Sequence, residues 1–316
     1  MNFWENSFGY VISRRYTDLC TRTGFSTIKV IGRDRIPAEG AVLLASNHCA
    51  SLMDPLLDLL LRRWSPIAFG ARSDVFSSPA VSKILRWLKI LPIARQRNGL
   101  QEVAKNFEVF DEAIDCIGHG TPFCLYVEGM HRAARGMLPV KKGIFRVAKM
   151  AVERLEGPVW VVPVGVDYEY LFLEGGKAVV TVGEPVEMRS YFAAHSEECE
   201  ADVYRGLCEL FQTRMEALIG HLIPQSEVRT CVLSPAHVAL KCLLGVLLLP
   251  FAVALAAATA IYWIPALLIL RKMKDKAWTH TVFFAVRFLL PVLWLFIWPA
   301  GVLNAFYYEL IKEIKK

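Results

Sequence analysis

The chain of 316 residues is short of several signals that mark common protein classes. Its eight cysteines form no CxxC pair and no Cys/His spacing suited to zinc. They are too sparse for a secreted disulfide scaffold, so reduced thiols in a reducing compartment are expected. The first twenty residues lack the uninterrupted apolar core and small-residue cleavage site of a signal peptide, which predicts a body facing the cytosol. No repeat or low-complexity tract occurs, and no basic tail or aromatic-basic stripe points to a nucleic-acid partner. Charge is the most informative scarcity: no Asp, Glu, Lys or Arg falls between Cys242 and Leu270, or between Phe288 and Tyr308. With 54% hydrophobic residues overall, this segregation excludes disorder and a channel filling the whole length. It predicts a soluble body joined to a C-terminal membrane part.

Residues 1–25 carry Phe3, Trp4, Phe8, Tyr10, Val11, Ile12 and Tyr16, the pattern of an amphipathic helix that either lies at a membrane interface or packs on a core. In the interfacial reading, Arg14 and Arg15 lie near anionic lipid. Over residues 26–225, β-type runs alternate with helical ones. Strands are predicted from Ser26, Ala41, Pro66, Leu91, Pro122, Val159 and Lys177, and helices from Ser78, Leu100, Val140 and Ala201. This alternation predicts one α/β domain with a largely buried, mixed sheet flanked by helices. Pro224 and Pro235 bracket a linker to membrane helices over 236–316. A straight helix over the first charge-free run would be roughly 44 Å long at ~1.5 Å per residue, against a ~30 Å hydrocarbon core. Pro250 interrupts that run, and lysines or arginines flank both runs. Two shallow hairpins with every flank in the cytosol are therefore expected, with two Pro-kinked spans as the competing arrangement. The net charge of +6 suits anionic headgroups.

Chemistry concentrates in two stretches. In LLASNHCASLMDPLLD a predicted strand ends at Asn47, followed by His48 and Asp54. A histidine at a strand end suits a general base, and a carboxylate nearby can orient its ring. Asp54 before Pro55 could equally just start a helix. In LYVEGMHRAARGMLPVKKGIF a strand runs into Glu128 and Gly129, and a basic loop leads to a helix start near Lys141 and Lys142, a possible phosphate site or a solvated loop. Arg72 and Arg95 each follow a predicted strand and could converge on the same sheet edge as His48.

Taken in order from Ile28 to Glu187, these residues resemble the PlsC-like glycerolipid acyltransferases. Asn47, His48 and Asp54 match the first block of that family. Arg72 and the Pro92-to-Arg95 segment match the second, Tyr126 to Gly129 with Lys141, Lys142 and Gly143 the third, and VVPVG around Pro163 the fourth. Two departures stand out. Five residues separate His48 from Asp54 where four are common, placing Met53 at the usual Asp position, a spacing similar to a branch near the yeast glycerol-3-phosphate acyltransferases. The third block reads VEGMHR, with His131 where an arginine is common, so its phosphate contact could pass to Arg132, Lys141 or Lys142.

The resemblance implies transfer of a fatty acyl group from acyl-CoA or acyl-carrier protein to a glycerophosphate-type acceptor, with lysophosphatidic acid giving phosphatidic acid as the best single expectation. His48 would be the base and Asp54 its partner. Glu128 and Gly129 would hold the glycerol end, and Arg72, Arg95, His131, Arg132, Lys141 and Lys142 the phosphate. No metal or bound cofactor is expected, and the bilayer is the expected partner. Glycerol 3-phosphate or another lysophospholipid as acceptor, a cysteine enzyme using Cys49, and an inactive lipid binder are the alternatives.

Overall fold

The computed structural model describes residues 3–62, 65–94, 106–223, 235–291 and 294–314. The body is a mixed sheet in the order β1 (Thr27–Ile31), β7 (Lys177–Val182), β6 (Val159–Tyr168), β2 (Ala41–Ser46), β5 (Phe123–Tyr126), β3 (Ala68–Arg72) and β4 (Ile90–Ile93), with β8 (Val186–Glu187) beside β6. From β6 to β4 every pairing is parallel, whereas β7 runs antiparallel to β6 and carries β1 parallel to itself. An α/β domain with a mixed sheet is therefore present.

Strand β2 is buried along its whole length because helices cover both faces. On one face Leu43 and Ala45 join Phe123, Val159 and Val161 against Ile144 and Phe145 of the helix Gly143–Arg154 and Phe211 of the helix Glu200–Glu216. On the other, Val42 and Leu44 join Cys124, Val162 and Val164 against Leu57 of α2 (Met53–Asp58) and Cys20 of α1 (Phe8–Arg22). The period of two along β2 and β6 thus divides one set of apolar residues between two cores. Each large side chain so buried contributes ~1.5–3 kcal/mol.

The remaining helices are α3 (Pro79–Trp87), α4 (Asn106–Gly118), α5 (Gly143–Arg154), α6 (Met188–Ala194), α7 (Glu200–Glu216), α8 (Pro235–Ala258), α9 (Ala260–Lys272), α10 (Thr279–Leu289) and α11 (Trp294–Ile314). Pro250 lies inside α8 rather than ending it, and the break comes at Thr259. Helices α8 and α11 lie antiparallel, tied by Lys241 to Glu313 at 2.6 Å and by the Tyr307 hydroxyl donating to Gly245 O at 2.7 Å. Helix α9 packs on α10 instead, through Tyr262, Ala266, Val282 and Phe283. The first charge-free run therefore pairs with later helices and does not fold back at Pro250. Among the described residues, one helix, Ala236–Ala258, is long and apolar enough to cross a membrane.

Most of helix α10 packs on the body. His280, Thr281, Val282, Phe283, Phe284 and Arg287 are all buried, and Phe284 belongs to the same core as β2. Arg287 ion-pairs with Glu174, which also accepts from the Tyr262 hydroxyl, and Arg287 Nε donates to Cys20 O at 3.1 Å. Helix α1 corrects one expectation. Arg14 is 7% exposed and faces the protein, binding Asp18 at 2.8 Å and the carbonyl of Leu59, because an unpaired guanidinium cannot be left among the apolar residues of α2. Phe8 and Ile12 remain exposed.

Candidate active site

Strands β2, β5 and β6 are neighbours and parallel, so their carboxyl ends lie along one edge of the sheet. Asn47 extends the β2 ladder through its side chain, which donates to Val166 O at 3.0 Å and accepts from Val166 N at 2.7 Å. This clamp fixes the chain at the residue before His48. The next turn passes through Ser51 at φ 50, a left-handed conformation that costs a non-glycine residue roughly 1–2 kcal/mol. It brings Asp54, in the first turn of α2, back beneath His48.

His48 Nδ1 lies 2.7 Å from Asp54 Oδ2. Asp54 is fully buried and bonded on both oxygens: Oδ2 also accepts from Cys49 N at 2.9 Å and Ala50 N at 2.8 Å, and Oδ1 accepts from the Tyr168 hydroxyl at 2.7 Å. With an Asp54 oxygen accepting at Nδ1, a neutral ring carries its proton there and leaves Nε2 with its lone pair. Among the described residues no group bonds Nε2.

Two tyrosines brace the dyad. Tyr126, at the end of β5, stacks on the His48 ring at 4.1 Å, and its hydroxyl donates to Asp58 Oδ2 at 3.1 Å. Burial, reinforced by the Asp54 charge, raises Asp58 to about 7, and burial pushes both Tyr126 and Tyr168 well above the ordinary phenol value. Both phenols therefore remain donors at any working pH.

The expected ligands divide into groups. Glu128 is buried with both oxygens engaged, Oε1 by His48 N at 2.8 Å and Oε2 by Leu138 N at 2.9 Å. Burial raises its pKa despite these donors. It braces the loop that follows β5 against the loop that follows β2, with one backbone donor on each oxygen. Gly129 turns at φ 70, where a Cβ would be strained, and Arg132 N donates to His48 O at 3.1 Å. His131 stands edge-on to His48 with ring centroids 5.4 Å apart, and its Nε2 is 2.7 Å from Asp275 Oδ2. Although burial opposes it, the hydrogen bonds from His131 and from Ala277 N hold the Asp275 carboxyl below its usual value. Lys141 and Lys142 are exposed at the start of α5, where Lys141 N donates to Val127 O at 2.7 Å. Arg72 sits at the end of β3, separated from β2 by β5, and pairs with Asp74. Arg95 lies outside the described residues.

Residues 27–167 match the model of the Acyltransferase family. The matched segment contains His48, Asp54, Glu128 and the carboxyl ends of β2 and β5. Among solved structures, the chain is similar to the 1-acyl-sn-glycerophosphate (LPA) acyltransferase PlsC from Thermotoga maritima, at 21% identity and a TM-score of 0.46, over 65% of this chain and 77% of that one. No curated protein matches the chain.

The sequence reading named His48, Asp54 and the Glu128 loop, gave Tyr126 no role beyond its place in the third block, and did not single out Tyr168 or Asp58. Asp58 follows Asp54 by one helical turn, and Tyr168 ends the strand beside β2, so spacing and strand order carried a usable signal for both. Asp275 had none but its place as the lone acid in the basic run RKMKDK. Two competing readings lose support at this site. Cys49 is buried, and desolvation together with the nearby Asp54 and Glu128 charges pushes its thiol well above the ordinary value, so it is a poor nucleophile. Met53 is fully buried in the apolar core while Asp54 reaches His48, so the longer spacing leaves the dyad assembled.

Proposed function

We propose that this acyltransferase moves a fatty acyl group from acyl-CoA or acyl-carrier protein to the hydroxyl of lysophosphatidic acid, giving phosphatidic acid. The observation that carries the reading is the His48–Asp54 contact at 2.7 Å around a fully buried, four-fold bonded carboxylate. His48 Nε2 takes the proton of the acceptor hydroxyl as its oxygen attacks the thioester carbonyl. The tetrahedral adduct then expels the thiolate, which leaves with that proton as free thiol, and the acyl group stays on oxygen as an ester. Asp54 holds the ring and offsets the imidazolium charge without itself being protonated. The reaction so written needs neither a metal nor a bound cofactor.

An acceptor that is a lipid anion is supported by the surroundings of His48. Arg132, Lys141 and Lys142 follow β5, and the apolar helix α8 offers a bilayer anchor of ~36 Å at ~1.5 Å per residue. Holding the site at the interface avoids extracting acyl chains into water, at ~0.8 kcal/mol per CH₂. In this reading the catalytic edge faces the cytosolic leaflet, where acyl-CoA is soluble.

Full-length protein in vesicles, supplied with acyl-CoA and lysophosphatidic acid, glycerol 3-phosphate or a larger lysophospholipid in turn, should release free thiol fastest with lysophosphatidic acid. His48→Ala should lower turnover by ~10²-fold or more, the usual contribution of a general base. Cys49→Ser should remain active. Turnover retained by His48→Ala, or abolished by Cys49→Ser, would reject this mechanism, and faster release with another acceptor would reassign the substrate.

A further inference from the structure

The connector between α9 and α10 reaches the catalytic edge although it lies more than a hundred residues beyond the acyltransferase domain. Asp275 contacts His131, Trp278 stands edge-on to the same ring at 6.2 Å, and Asp275 Oδ1 accepts from Ala277 N at 3.0 Å, which closes the turn. Its far end is anchored independently. His280 is buried, its ring stacks on Tyr168 at 5.3 Å, and its Nε2 is 2.9 Å from Tyr170 O. Tyr168 in turn donates to Asp54. The connector and the start of α10 are thus fixed to His131 and Tyr168, the two residues that touch the dyad, while Arg271, Lys272, Lys274 and Lys276 stand exposed around Asp275.

In lysophosphatidic acid the free hydroxyl and the phosphate sit on adjacent glycerol carbons. A group that receives the phosphate must therefore stand within one side chain's reach of the base, as His131 does at 5.4 Å between rings. We propose that the connector Arg271 to Trp278 is the outer wall of the acceptor site, and that Asp275 is a positioning residue that fixes the His131 ring to receive, with Lys274 and Lys276, the acceptor's phosphate. This inference rests on the acyltransferase reading above and adds to it a part of the site supplied from outside the matched domain.

The sign of one substitution separates this role from a general field effect. Removing the lone acid from a cationic connector makes the site more positive, so electrostatics alone would tighten an anion's binding. If Asp275 instead acts by holding His131, its loss weakens that binding. With acyl-CoA saturating and the full-length protein in non-ionic micelles, Asp275→Asn should raise KM for oleoyl lysophosphatidic acid ~10-fold, the scale of one charge-assisted hydrogen bond. The KM for acyl-CoA should stay in place, and kcat should fall far less than KM rises. On a His131→Ala background, Asp275→Asn should add no further rise, because its partner is gone.

An acceptor KM that is unchanged or lowered overturns the proposal, as does an equal effect on the donor or a full effect in the absence of His131. Lys276→Gln provides a check that leaves the Asp275 contact in place, and it too should raise acceptor KM. Binding of oleoyl lysophosphatidic acid to the His48→Ala protein supplies a readout independent of turnover. Weaker binding on adding Asp275→Asn supports the proposal, and equal binding overturns it. Failure of the unsubstituted protein to release thiol with any acceptor would instead reject the catalytic reading alone.

Discussion

Asp54 takes four donors at 2.7–2.9 Å, while Asp58, one helical turn later, is buried in the same core and accepts from Ser46, Tyr126 and, more weakly, the Cys124 thiol. Burial away from water, and then the Asp54 carboxylate beside it, favour the protonated form of Asp58. Asp58 rises from an ordinary 3.8 to about 7. In the acid range both folded and unfolded chains hold this proton, and the folded state keeps its full advantage below about pH 4. As the pH climbs, the unfolded chain releases the proton first, so stability is lost up to about pH 7. At ~1.4 kcal/mol per pH unit that loss amounts to roughly 4 kcal/mol. Asp58→Asn mimics the protonated form and should flatten the stability profile between pH 4 and 7, with a gain over the unsubstituted protein near pH 8. Urea unfolding at several pH values checks this, and a parallel loss in both proteins would show that the dependence lies elsewhere.

At the scale of elements, legibility followed burial. The run from Val159 to Tyr168 became β6 with the same ends because its five valines and Trp160 favour a strand covered on both faces, even with Pro163 and Gly165 inside it. Helix α3 was legible as a helix, with Ser78 capping Val81 N, but not as an outward-facing one: none of its residues is buried, and Val81, Ile84 and Trp87 are exposed. Periodicity reports an apolar stripe and is silent on what lies against it. The short α6 was missed because only Met188 is buried, and its start depends on Glu187 accepting from Arg189 N and Ser190 N. The approach of α11 to the body was equally hidden, since it depends on two glycines far apart in sequence. Gly175 has φ 85, and a Cβ there would meet Gly301 O of α11. Gly175→Ala should cost about 2–4 kcal/mol, from the left-handed backbone plus the displaced helix. Thermal unfolding of the full chain in detergent measures it, and a midpoint unchanged from the parent would show that α11 is not held at this point.

The whole molecule is bound together where the sequence suggested a soluble body and a separate membrane foot. The charge-free runs did identify the apolar helices, but the stretch between them, Arg271 to Arg287, belongs to the body. Arg287 is 0% exposed and Glu174 2%, and their ion pair joins α10 to the segment between β6 and β7, with Tyr262 of α9 and the Cys20 carbonyl of α1 completing the cluster. Two charges taken this far from water contribute little net stability as a pair, yet either one left alone is strongly unfavourable. Arg287→Leu should therefore destabilise the protein by about 3–5 kcal/mol, because it strands the Glu174 carboxylate. Adding Glu174→Leu should recover much of that loss, since the second substitution removes the stranded charge. Unfolding of the single and double variants in one detergent gives the comparison. Recovery would assign the pair the task of registering α10 against the sheet, which in turn sets where Asp275 and His280 meet the catalytic edge. A double variant as unstable as the single one would mean that packing of the arginine stem, not its charge, holds the helices to the body.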